Sequence, residues 1–127
     1  MKPAPLKYFH ALLIFGWLMI AAIALGSLMP MPASPIDVPQ GDKAQHLLGY
    51  GILMFWFCQL YPERQDRLKW LLYLFLFGLS MEIAQGTLTA YRSADSQDVI
   101  ANSLGLLAGW LLSQIWQPLR RWHRVRG

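Results

Sequence analysis

The sequence predicts an all-α polytopic membrane protein, a bundle of four transmembrane helices with both termini in the cytoplasm. The chain is 55% hydrophobic and only 14% charged, whereas a soluble domain usually carries about 25% charged residues. The apolar residues fall into four runs, and most lysines and arginines lie beside alternate ends of those runs. A chain of 127 residues is predicted to form a single domain, residues 1–127.

The first apolar run carries no charge from Ala11 to Met29 and predicts a helix over about 9–29. Lys2 and Lys7 precede this run, as basic residues precede the apolar core of a signal peptide. The run is nevertheless longer than a signal core, and no small-residue cleavage site follows it, which favours a retained helix. Four prolines in the next connector prevent the helix from continuing: Pro30, Pro32, Pro35 and Pro39.

The remaining runs predict helices over about 44–61, 68–88 and 98–117. Asp42 is placed to cap the second helix, with Gln45 completing a capping box. Pro62 and Pro118 end the second and fourth helices.

The distribution of positive charge predicts the orientation. Arg92 and Lys43 would lie on one side, and nine basic residues on the other: Lys2, Lys7, Arg64, Arg67, Lys69, Arg120, Arg121, Arg124 and Arg126. Lysines and arginines favour the cytoplasmic side, so both termini are predicted there. Basic clusters next to membrane helices contact anionic head groups, which argues against a nucleic-acid partner. An aromatic belt is expected at that surface from Tyr8, Tyr61, Trp70, Trp116 and Trp122.

Polar residues of three helices fall at one predicted depth. His46 lies fifteen residues before Tyr61, roughly 22 Å along the helix axis. Gln85 lies fifteen residues after Trp70, and Asn102 fourteen before Trp116, which gives roughly 22 and 21 Å. Ionisable residues inside a membrane are costly and face the bundle interior. The sequence therefore predicts a polar, net acidic cleft that opens to the outside.

Each member of this cleft has a predicted role. The candidate catalytic residues are Glu82, Asp98 and His46, because carboxylates and imidazole serve as general acids and bases. A variant has the same three residues binding a divalent ion, and the need for a metal or cofactor is left open. The candidate substrate-binding residues are Asp42, Lys43, Tyr50, Gln85, Arg92, Asp95 and Asn102.

Structural roles compete with these functional ones. Asp42 and Asp95 are also typical helix caps, and Gln85 and Asn102 also suit hydrogen bonds between helices. Glu82 could instead form an ion pair with Lys43 or Arg92. Gly105 and Gly109 form a small-residue motif that indicates close helix packing within the bundle.

At these residues the sequence resembles the VanZ-like family of bacterial membrane proteins. Three blocks carry the resemblance, in order: Asp42-Lys43-Ala44-Gln45-His46 with Tyr50; Glu82-Ile83-Ala84-Gln85; and Arg92 to Asn102 with Asp98, followed by Gly105 and Gly109. The resemblance covers roughly residues 39–116. It implies a multi-pass protein of the bacterial cytoplasmic (inner) membrane at the cell envelope. The family takes its name from a protein linked to resistance to the glycopeptide teicoplanin, although most members are not resistance determinants.

Three functions are consistent with these observations. The first is a site that binds or modifies a lipid-linked envelope precursor or a glycolipid, with membrane lipids as partners. The second is a non-catalytic accessory protein whose polar network only fixes the fold. The third is a small ion- or proton-coupled transporter, which would require oligomers, and the oligomeric state is left open.

Overall fold

The structure, a computed structural model, describes residues 1–29, 41–90 and 94–119, with the backbone alone for residues 41 and 42. Its described part is helical, with α1 at Phe9–Leu28, α2 at Gly41–Leu60, α3 at Arg64–Leu88 and α4 at Ser96–Ile115. An all-α fold is thereby confirmed. By length and composition, α1, α3 and α4 are apolar enough to cross a membrane. The first turns of α2 carry Lys43, Gln45 and His46, which lowers its hydropathy.

Helix α1 begins at Phe9 as predicted, but α2, α3 and α4 begin earlier than the apolar pattern predicts. Because α2 already starts at Gly41, Asp42 is a first-turn residue, and its predicted role as the N-cap is wrong. Helix α3 starts at Arg64 and so includes the charged turn, with Asp66 in its first turn. An acidic side chain is favourable there because it faces the positive end of the helix dipole. Apolar periodicity does not report such polar first turns.

Helix α2 is the centre of the bundle and packs most closely against α4. A Cβ atom added to Gly109 would meet the carbonyl oxygen of Gly51, and one added to Gly105 would meet that of Leu47. Only glycine permits backbones to approach this closely. The small residues of α4 therefore pack within the bundle, as predicted. On the other side of α2, α1 packs against α2 and α3.

The core lies at the end of the bundle where α2 meets α3. Trp70 stacks on Phe57 with ring centroids 3.9 Å apart, and Tyr61 and Trp17 pack around the pair. Trp70 and Tyr61 are buried, so their predicted place in a surface belt is wrong. Tyr8 and Trp116 are exposed, and Trp122 lies outside the described residues. Two of the four predicted belt residues that the structure describes are therefore packed inside the bundle and not exposed at its surface.

A buried arginine holds the turn between α2 and α3. Arg67 donates from Nε to the carbonyl of Tyr61 (3.2 Å) and from its terminal nitrogen to that of Cys58 (2.9 Å). These carbonyls belong to the C-terminal end of α2, where the last groups of a helix have no helical partner. The N-terminal segment lies on the same turn, because the amide of Ala4 donates to the carbonyl of Leu60. The chain therefore begins at the α2–α3 end of the bundle.

Candidate functional site

The predicted polar residues converge at the opposite end of the bundle, on the first turns of α2 and α4 and the last turns of α3. Lys43 is the centre of this cluster. Its ammonium group contacts Asp95 Oδ2 at 2.6 Å and forms a shorter contact with Asp98 Oδ1. The Lys43 and Asp98 side chains are 18% and 10% exposed. One cation is thus shared between an exposed carboxylate, that of Asp95, and an enclosed one, that of Asp98, whose charge must be paired.

Asp95 combines the two roles that the sequence left open. It is the N-cap of α4, where Oδ1 accepts the backbone N–H of Gln97 at 2.9 Å. Its other oxygen binds Lys43. The hydrogen bond from Lys43, together with the one from the Gln97 amide, lowers the pKa of Asp95 below its ordinary value. Asp95 is therefore both a helix cap and a member of the charged cluster.

Glu82 joins α3 to this cluster without the predicted ion pair to Lys43. Its Oε1 accepts the backbone N–H of Asp95 at 2.6 Å, and its carboxyl group lies beside that of Asp98. Glu82 is only 4% exposed. Two carboxyl groups this close repel each other when both are charged, and the contact of Lys43 with Asp98 offsets that repulsion. The other predicted partner, Arg92, lies outside the described residues.

His46 occupies the position between this charged cluster and the interior of the bundle. Its Nδ1 donates to Asn102 Oδ1 at 2.9 Å. Its Nε2 lies 3.9 Å from Asp98 Oδ2, beyond hydrogen-bonding distance. Tyr50 continues the row inward: its ring and the Asn102 amide both lie within 3.3 Å of where a Cβ atom on Gly78 would stand. Glycine at position 78 therefore makes room for this polar row.

A cleft of about 160 Å³ runs between α1 and α2 next to this row. His46 and Tyr50 line it from α2, and Ser27 lines it from α1; the remaining lining residues are Ile23, Gly26, Gln45 and Gly49. The contribution of α1 was not predicted, because α1 carries no charged residue. The sequence signal for it is the group of small residues in the last turns of α1, which includes Ala24, Gly26 and Ser27.

The predicted site residues thus separate into three groups. Those brought together are Lys43, His46, Tyr50, Glu82, Asp95, Asp98 and Asn102. Gln85 is buried and donates to the carbonyl of Ser27 at 2.8 Å, so it joins α3 to α1 at a residue of α1 that lines the cleft. The side chains of Asp42 and Arg92 lie outside the described residues. In the described part of the chain, no group of three or more His, Cys, Asp or Glu side chains is placed to hold a metal ion.

The comparison with known proteins agrees with the family resemblance that the three sequence blocks of this cluster carry. No solved structure matches the chain. An uncharacterized protein of Schizosaccharomyces pombe is 34% identical over 118 residues, which is 91% of this chain and 68% of the yeast protein. The family model described as VanZ/LLP1 matches residues 8–117 and so includes every residue of the polar cluster. The chain belongs to the VanZ/LLP1 family of membrane proteins.

Proposed function

We propose that this protein binds the polar head group of a glycolipid or a lipid-linked envelope precursor in the cleft between α1 and α2. The observation that carries this proposal is the position of His46. It lies on the wall of the cleft and is held from behind by Asn102, while its Nε2 makes no hydrogen bond within the described residues. An imidazole held in this way can exchange a hydrogen bond or a proton with a hydroxyl or phosphate group.

The size of the cleft limits what can enter it. Pockets for drug-sized ligands usually measure about 300–1,000 Å³, and this cleft measures about 160 Å³. One head-group unit fits such a volume, while the apolar part of the ligand would remain in the bilayer against the exposed face of α1. Leu18 and Leu25 of that face are 61% and 63% exposed. The ligand would therefore enter sideways from the membrane.

The orientation predicted from basic residues places this cleft at the outer surface. We propose four crossings with cytoplasmic termini, in the cytoplasmic membrane of a bacterium. Helix α2 would cross as the central helix, with its polar first turns covered by α3 and α4. A relative in yeast favours a ligand class that is not restricted to bacteria, such as sugar-bearing or isoprenoid-linked lipids. Cysteine introduced at Ser34 or Ser93 should react with a membrane-impermeant reagent added outside, and reaction only from inside would refute this orientation.

The binding proposal is tested by mass spectrometry of lipids that co-purify with the protein. We expect a sugar- or isoprenoid-linked lipid with the wild type and its loss from His46→Gln at an unchanged melting temperature. The matched control is His10→Gln, because His10 is an exposed histidine at the other end of the bundle. Equal content of such lipids in all three proteins, or none in the wild type, would refute the proposal.

A second candidate, a non-catalytic accessory protein, is favoured by the internal pairing of the cluster. Lys43 binds two carboxylates, and Glu82 accepts a backbone amide, so these groups already have partners. If that network is purely structural, Asp98→Asn should destabilise the protein by about 1–3 kcal/mol through a weakened buried hydrogen bond. Bound lipid would then be unchanged. Loss of the lipid with full stability would favour the binding site instead.

A further inference from the structure

A second groove, separate from the polar cluster, runs between α3 and α4 at the other end of the bundle. Its mouth is a cavity of about 480 Å³ lined by Arg64, Arg67, Gln114, Pro62 and Trp110. Deeper between the same helices lies an apolar cavity of about 410 Å³, lined by Leu71, Leu72, Phe75, Ser103, Leu106 and Leu107.

Helical periodicity aligns the linings of the two cavities along one face of α3 and one face of α4. On α3, Arg67, Leu71 and Phe75 follow one another at four-residue spacing, so they share one face. On the antiparallel α4, Gln114, Trp110 and Leu107 follow at spacings of four and three. The groove therefore passes from a basic end to an apolar interior over about two helical turns.

Only the mouth of this groove presents polar groups that a bound ligand could contact. Ser103, in the apolar part, donates its hydroxyl to the carbonyl of Val99 within α4, so it presents no unsatisfied polar group there. Arg64, at the mouth, is exposed and forms no ion pair or hydrogen bond within the described residues. Arg67 adds a second positive charge that is 6% exposed and fixed in place by two backbone carbonyls.

We infer that this groove binds one anionic phospholipid. Its phosphate contacts Arg64 and Gln114 at the mouth, with the buried positive charge of Arg67 behind them, and one acyl chain lies along Leu71, Phe75 and Leu107. The exposed guanidinium group of Arg64 suits a phosphate, since arginine donates hydrogen bonds in a fork that matches phosphate oxygens. Basic pockets between transmembrane helices are known sites for anionic head groups. The mouth lies at the α2–α3 turn, which the orientation proposed above puts at the cytoplasmic surface of the membrane.

The experiment is native mass spectrometry of the delipidated protein titrated with phosphatidylglycerol or phosphatidylcholine. We expect one phosphatidylglycerol to bind well above phosphatidylcholine, and Arg64→Gln to weaken its binding about tenfold, as removal of one charge-assisted hydrogen bond does. Lys69→Gln is the matched control, because Lys69 is an exposed cation of the same helix that does not line the groove. Arg64 is exposed and has no ion pair or hydrogen bond with the part of the chain that the structure describes, so its substitution should not unfold the protein.

Leu107→Trp tests the apolar half, because a larger side chain should fill the groove and reduce retention of the long-chain lipid. Inorganic phosphate, added as a competitor at millimolar concentration, distinguishes a lipid site from a simple anion site. Displacement by phosphate alone, with no effect of Leu107→Trp, would overturn the lipid assignment. The proposal that this groove binds an anionic phospholipid would be refuted if Arg64→Gln and Lys69→Gln weakened phosphatidylglycerol binding equally. Equal binding of the two lipids would refute it as well.

Discussion

Gly105→Ala should separate α2 from α4 and disturb the polar cluster at the same time. The added methyl group would meet the backbone carbonyl of Leu47, inside van der Waals contact. A backbone atom cannot rotate away as a side chain can, so the two helices must move apart. Leu47 adjoins His46, and Gly105 lies one turn from Asn102. The hydrogen bond of 2.9 Å between His46 and Asn102 should therefore lengthen or break.

Two opposing terms set the size of the effect. Alanine is favoured over glycine inside a helix by about 0.8–1.0 kcal/mol. Overpacking of a close contact costs typically 1–3 kcal/mol, and the rigid carbonyl puts this site near about 3 kcal/mol. The net loss in the free energy of unfolding should be about 2 kcal/mol.

The matched control is Gly26→Ala in α1, where a Cβ atom would meet nothing within 4 Å. Only the propensity term acts there, so this variant should be as stable as the wild type or up to about 1 kcal/mol more stable. Stability is measured by titrating the protein from mild detergent into a denaturing detergent and following helix content. The two variants should differ by about 3 kcal/mol, the sum of the two effects.

One result would refute this reasoning. If Gly105→Ala unfolds at the same point as Gly26→Ala, α2 and α4 do not pack through this glycine, and the geometry of the cluster that depends on that packing is wrong. A loss of stability in both variants would instead show that helix flexibility, and not close packing, explains the glycines.

Three further predictions concern charged groups. Lys43→Gln should cost about 3 kcal/mol in detergent unfolding, because it leaves the enclosed Asp98 without its cation; Lys43→Arg should restore much of that loss. The pKa of Asp95 is lowered in the folded protein, so ionised Asp95 stabilises the fold at pH values above the ordinary pKa of a carboxyl group. That contribution should vanish as pH falls through the lowered pKa, and melting temperatures of Asp95→Asn should depend less on pH below 5. Arg67→Gln should cost about 3 kcal/mol through two hydrogen bonds to carbonyls of α2, whereas Lys69→Gln should leave the unfolding curve unchanged.

The existence of the four helices could be predicted because each is a long apolar run between prolines or charges. The first residues of α2, α3 and α4 could not be predicted, because polar first turns such as Arg64 to Arg67 carry no apolar periodicity. The burial of Trp70 was missed for a related reason. An aromatic residue near a helix end suits both the membrane surface and a stacked core, and only the position of Phe57 on the neighbouring helix decides between them.

The membership of the polar cluster could largely be predicted, because equal depth on three helices leaves few ways to bury charged groups. Its pairing could not. The sequence offered Lys43 or Arg92 to Glu82, whereas the structure gives Lys43 to Asp95 and Asp98 and gives Glu82 a backbone amide. Such choices depend on differences of a few ångströms in helix rotation, which spacing along a chain does not contain.

Among the four described helices, α2 is the one that falls short of the apolar composition of a membrane span, and its central position in the bundle follows from its own sequence. Lys43 and His46 could not face lipid without a cost of a few kcal/mol each, so α2 must be covered on the side that carries them. Glycines on α4 allow that cover to come close enough for Asp98 and Asn102 to pair with both residues. On the opposite side α1 contributes no charged group, and there the cover is looser and leaves the cleft beside His46. Tight packing against α4 thus fixes the His46 ring through Asn102, and the looser packing against α1 leaves the ring accessible from the cleft. A binding site requires a side chain that is both fixed and accessible.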